Sequence, residues 1–128
     1  MKDIQKHNLD YLAAKHAQEF IQKASGKGSD IENEVTKALG VLQENGVYAC
    51  FLYLLANNGK SMVDEMLNLF KESALGFDAP PESGENAEIL KYVADYITAD
   101  LPRLLLAREA LEQMLTYTRY GAKAKDKA

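Results

Sequence analysis

A chain of 128 residues, 47% hydrophobic and 27% charged, has the size and make-up of one ordinary globular domain spanning 1–128, which excludes a disordered chain as the default. Its net charge of −4 excludes unaided nucleic-acid binding through a broad electrostatic surface, because that mode needs a clear excess of Lys and Arg; any such contact is local. The sole cysteine, Cys50, excludes an intramolecular disulfide and a cysteine zinc site and fits a reducing, cytoplasmic setting.

The first residues, Met1-Lys2-Asp3, lack the apolar core of an export signal. From 3 to 24, Leu9, Ala13, Ala17, Phe20 and Ala24 recur at spacings of three and four beside Lys15, Glu19 and Lys23, which predicts an amphipathic helix. Ser25-Gly26-Lys27-Gly28-Ser29 breaks it and reads as a flexible loop, 25–29. Ser29 or Asp30 is the expected cap of a second helix whose stripe is Ile31, Val35, Ala38, Leu39 and Leu42, ended or bent at Asn45-Gly46. The flanks of that dipeptide have helical spacing, so a hairpin is rejected. Val47 to Ala56 is apolar on every side and too short to span a membrane, which predicts a third helix at the buried centre of the fold. Tyr48 and Tyr53 on it need polar partners or the surface.

Ser61 is the expected cap of a fourth helix carrying Met62, Met66, Phe70 and Ala74 on one face and stopped by Gly76. The stretch 76–84, with Pro80-Pro81, reads as a second flexible loop. A fifth helix is expected from Glu85 to Thr98 with Leu90, Val93, Ala94 and Ile97 inward, and a sixth from a cap at Asp100, with Pro102 in its first turn and fraying after Gly121 into a basic tail, 121–128. No segment alternates at period two. The predicted fold is an all-α single-domain bundle of about six helices, mostly antiparallel and packed around the third.

Candidate chemistry is sparse. Gly59-Lys60-Ser61 resembles the end of a phosphate-binding loop, but Leu54 stands where that motif requires glycine. His7 and His16 are nine residues apart, which does not stack them as metal ligands, and both read as surface histidines. Asp78, Glu82, Glu85 and Glu88 read as a solvated acidic region, 78–88. No nucleophile sits beside a base, so no enzyme, no metal and no cofactor is expected.

On the sixth helix, Leu104, Ala107, Leu111, Met114, Leu115, Thr118 and Ala122 form the inward stripe. Arg108, Arg119 and Lys123 fall within an arc of about 60° at its edge, with Glu112 placed to pair with Arg108. That edge is either a solvated face or a phosphate-contacting one helped by Lys125, Lys127 and the stacking surface of Tyr120.

Two segments, Ala38 to Asn57 (ALGVLQENGVYACFLYLLAN) and Ala107 to Ala124 (AREALEQMLTYTRYGAKA), together resemble the small-subunit family, the fifth Cmr subunit, of the type III-B CRISPR Cmr effector complex. The first is similar to that family's central pair of helices. The second is similar to its final helix, in Glu109, Ala110 and Leu111 and then Arg119, Tyr120 and Ala122. The chain departs from the family pattern in having Gly40 and no proline near the central pair, no tryptophan, and Thr118 where a second basic residue is common. The resemblance implies a non-catalytic subunit that stacks in more than one copy beside the guide and target RNA, with other Cmr subunits and copies of itself as partners. Arg108, Arg119 and Lys123 are then the expected RNA-facing residues, and repeated weak contacts reconcile an acidic chain with an RNA-associated role. The alternative is a helical adaptor or homo-oligomerising module unrelated to RNA, docking through the third helix or the tyrosines.

Overall fold

The computed structural model describes residues 8–82 and 84–127. Six α-helices form an all-α bundle, with no strand among the described residues: α1 Leu9–Lys23, α2 Gly28–Asn45, α3 Val47–Ala56, α4 Lys60–Phe70, α5 Asn86–Tyr92 and α6 Leu101–Lys125. Among them no helix is long and apolar enough to cross a membrane.

Asn8 caps α1, its Oδ1 accepting from the amides of Asp10 at 2.9 Å and Tyr11 at 3.4 Å. The expected start near residue 3, and His7, lie outside the described residues. The cap expected at Ser29 or Asp30 is corrected. Helix α2 begins at Gly28, the preceding Lys27 makes no side-chain cap, and Asp126, from the far end of the chain, accepts from the Gly28 amide at 3.0 Å. A glycine is required there, because a Cβ would lie 2.3 Å from the Ala122 carbonyl oxygen. Gly40, in the same helix, has nothing within 4 Å of the place its Cβ would take. Gly28→Ala is therefore expected to destabilise the protein by about 2 kcal/mol through overpacking, and Gly40→Ala to stabilise it by roughly 0.5–1 kcal/mol. Urea midpoints of the two variants check these opposite signs.

At Gly46 the backbone turns with φ 101°, a value that favours glycine, and passes directly from α2 into α3. The third helix is not the centre. It buries Val47, Cys50, Phe51 and Leu54 but leaves Leu52 46% exposed and Tyr48 at the surface. With 10 residues it is too short to cross the bundle; the 25 residues of α6 span about 37 Å. That helix packs most extensively on α1 and α2 and is the true hub. Contacts at both ends of the pair, Gly28 with Asp126 and Gln43 with Arg108, set α2 and α6 antiparallel. The predicted stripe on α6 is buried from Ala107 to Ala122, with Ala110 added and Leu104 only partly covered. Fraying after Gly121 is also corrected. The helix continues to Lys125, since the missing Cβ of Gly121 admits Ile21 of α1, whose Cδ1 lies 2.4 Å from that position, and Asp126 is tied to Gly28.

Ser61 is not a cap. Gly59 precedes α4, and Ser61 lies inside the first turn. The helix ends at Phe70, before Ala74, and a 3₁₀ turn follows at Ser73–Leu75. The start of the 76–84 stretch is anchored: Phe77 packs edge-on against Phe70 and Tyr96, the Asp78 amide donates to Tyr96 Oη at 2.9 Å, Tyr92 Oη donates to the Asp78 carbonyl at 2.9 Å, and Pro80 is buried. The predicted single helix 85–98 is instead α5 followed by a π turn, Val93–Ile97. Its wider winding keeps Ile89, Val93 and Ile97, four apart, on the buried side, while Leu90 and Ala94 are only partly covered. Asp100 caps α6 as expected, accepting from the Arg103 amide at 3.0 Å, and Pro102 occupies the first turn.

Candidate nucleic-acid interface

The three cations expected along one edge all lie on α6 and differ in their partners. Helical rise puts about 16 Å between Arg108 and Arg119, and only about 6 Å between Arg119 and Lys123. Arg108 is held: its Nε donates to Glu112 at 3.0 Å and a terminal nitrogen donates to the Gln43 carbonyl at 3.1 Å. It fastens the end of α2 to α6, and its charge is met by a carboxylate. Arg119 and Lys123 have no ion-pair partner among the described residues. Tyr120 between them is 62% exposed, with the Arg119 guanidinium 5.9 Å from its ring centre.

Sequence reading missed Lys27. The Gly28–Asp126 hydrogen bond brings the start of α2 against the last turn of α6, so exposed Lys27 joins Lys123, Lys125 and Lys127 at one end of the bundle. The arrangement is a local cationic corner with one flat aromatic face, suited to phosphate contact and base or sugar stacking and blind to sequence. The far end of α6 differs in character, with Leu101 and Leu105 exposed one turn apart.

The histidine reading is corrected for His16, which is 4% exposed. Its Nδ1 lies 2.7 Å from Glu65 Oε2 and its Nε2 lies 2.5 Å from Glu72 Oε2, linking α1 to α4 and to the residues just after it. Glu65 is itself 3% exposed. Lys23 reaches Glu65 Oε1 at 3.4 Å and Lys15 reaches Glu72 at 3.2 Å, so the carboxylates are matched by cations. The imidazole thus faces a carboxylate oxygen from each of its ring nitrogens. Burial opposes ionisation of Glu72, but the hydrogen bonds from His16 and Lys15 outweigh it and hold its carboxyl below the ordinary 4.5.

Cys50 offers no nucleophile: burial pushes its thiol up to about 12, and it lies against the Ala38 carbonyl at 3.5 Å. Asp78, Glu82, Glu85 and Glu88 all remain exposed. Against models of protein families, curated proteins and solved structures, the chain gives no match.

Proposed function

We propose that this chain is a non-catalytic structural subunit of a type III-B (Cmr) RNA-guided, RNA-targeting complex, stacking in several copies with the cationic corner of α6 against the RNA backbone. The observation that carries the reading is a coincidence of position. Half-buried Arg119 and exposed Tyr120 and Lys123, without ion-pair partners among the described residues, lie in the same segment, Ala107 to Ala124, that resembles the small-subunit family. Two or three phosphate contacts per copy are too few for a chain of net charge −4 to hold RNA alone. Repetition along a filament adds them at high effective concentration. Leu101 and Leu105, about 30 Å away along α6, and Tyr48 and Leu52 on α3 are apolar groups available for contact with other subunits.

The test is photo-crosslinking of a target RNA carrying reactive uridines within the assembled complex, with peptides mapped afterwards. Crosslinks are expected between Arg119 and Lys127 and absent from α3. No crosslink on this chain would favour the adaptor reading, which rests on the same exposed apolar groups, and crosslinks confined to α3 would overturn the assignment of the α6 corner.

A further inference from the structure

We propose that His16, Glu19 and Glu65 form a binding site for one first-row divalent transition-metal ion, of the Zn²⁺ or Co²⁺ type, that pins α1 to α4. One ligand atom from each residue lies within 4.8 Å of the other two. The His16 Nδ1 faces two carboxylates at once, Glu65 at 2.7 Å and Glu19 at 3.5 Å. A single N–H can serve only one of them well. An ion with bonds of about 2.0–2.2 Å spaces its ligand atoms about 3.0–3.5 Å apart, so small side-chain shifts from the 2.7 and 3.5 Å separations at Nδ1 would let it engage all three. A nitrogen and two carboxylate oxygens form a borderline donor set that suits these ions better than Ca²⁺, which takes six to eight oxygens.

The surroundings supply what a metal-bound imidazole needs. With Nδ1 on the ion, Nε2–H donates to Glu72, whose carboxylate is held in turn by Lys15. That carboxylate–histidine–metal relay fixes the ring and its tautomer. Glu65 presents Oε2 to the site while Lys23 holds Oε1, which favours one-oxygen ligation. A cleft of about 240 Å³, lined by Phe20, Lys23, Ser61, Asp64 and Glu65 among others, opens beside Glu65. His16 and Glu65 are buried on a rigid helix pair, which distinguishes this cluster from the exposed carboxylates of the 78–88 region.

The test uses the full chain, stripped with chelator and titrated with Co²⁺ while the visible ligand-field absorption is followed. One equivalent is expected to bind saturably, to be displaced by Zn²⁺ and to raise the melting temperature. Glu19→Gln, at a residue whose side chain is 38% exposed and whose loss leaves the His16–Glu65 and His16–Glu72 contacts in place, is expected to weaken binding at least about tenfold without unfolding the chain. Glu72→Gln is expected to weaken it by a similar factor. His7→Ala, at the other histidine of the chain, is expected to bind as the unmodified protein does. Absence of saturable binding, equal affinity in Glu19→Gln, or loss of binding in His7→Ala would each overturn the proposal.

Discussion

In chelator-treated protein, His16→Ala is expected to lower the free energy of unfolding by about 3–5 kcal/mol, the usual cost of removing one partner from a buried charged pair. Glu65, 3% exposed, then keeps only Lys23, and Glu72 keeps only Lys15. Small domains have about 5–15 kcal/mol to lose, so the urea midpoint should fall by about a fifth or more. Replacing both members by apolar residues of similar volume, His16→Leu with Glu65→Met, should recover much of the loss, since the penalty comes from the orphaned charge. The same contacts predict an acid response. Glu72 binds a proton less readily folded than at its ordinary 4.5, so its contribution is fully present above that pH and is lost as pH falls through the lower folded value. In His16→Ala one of the two hydrogen bonds that together outweigh burial is gone, and stability below pH 4.5 should vary less steeply. A single-site effect under about 1 kcal/mol would show the network to be solvated.

The second large effect concerns RNA. Arg119→Ala with Lys123→Ala should leave folding unchanged within about 0.5 kcal/mol, because neither side chain has an ion-pair partner among the described residues. Target RNA held by the assembled complex should nevertheless dissociate more readily. Each phosphate contact contributes about 0.7–0.9 to the slope of log affinity against log salt, so two contacts removed per copy flatten that slope by about 1.5 per copy. Arg108→Ala provides the contrast. It breaks the ties to Gln43 and Glu112, so it should cost about 1 kcal/mol of stability and change the salt slope less. Equal RNA effects from Arg108 and from the Arg119–Lys123 pair would return Arg108 to the interface as a full member.

Signals local in the chain were legible in the sequence, and distant ones were not. The stripes of α2 and α6 and the Asp100 cap were legible because each depends on residues within a few turns of one another. The cap on α2 was not, since Asp126 lies 98 positions from Gly28 and no local pattern announces it. The same contact hides Lys27 from a reading of α6 alone. Composition misled at α3, where uniform apolarity suggested a central helix while length gave that place to α6. His16 did carry a usable signal: it sits between Ala13, Ala17 and Phe20 on the inward face of α1, as Glu65 sits among Met62, Met66 and Leu69 on α4. Two ionisable residues of opposite type inside two apolar stripes are an argument for pairing across helices, although the spacing of 49 residues gives no register.

The most direct measurement of the central claim is the native mass of a Cmr complex assembled without its own small subunit and then mixed with this chain. Discrete mass increments corresponding to two or more copies per complex are expected, preserved after the unbound RNA is digested. A complex whose mass is unchanged, with all of the chain recovered free, would contradict it.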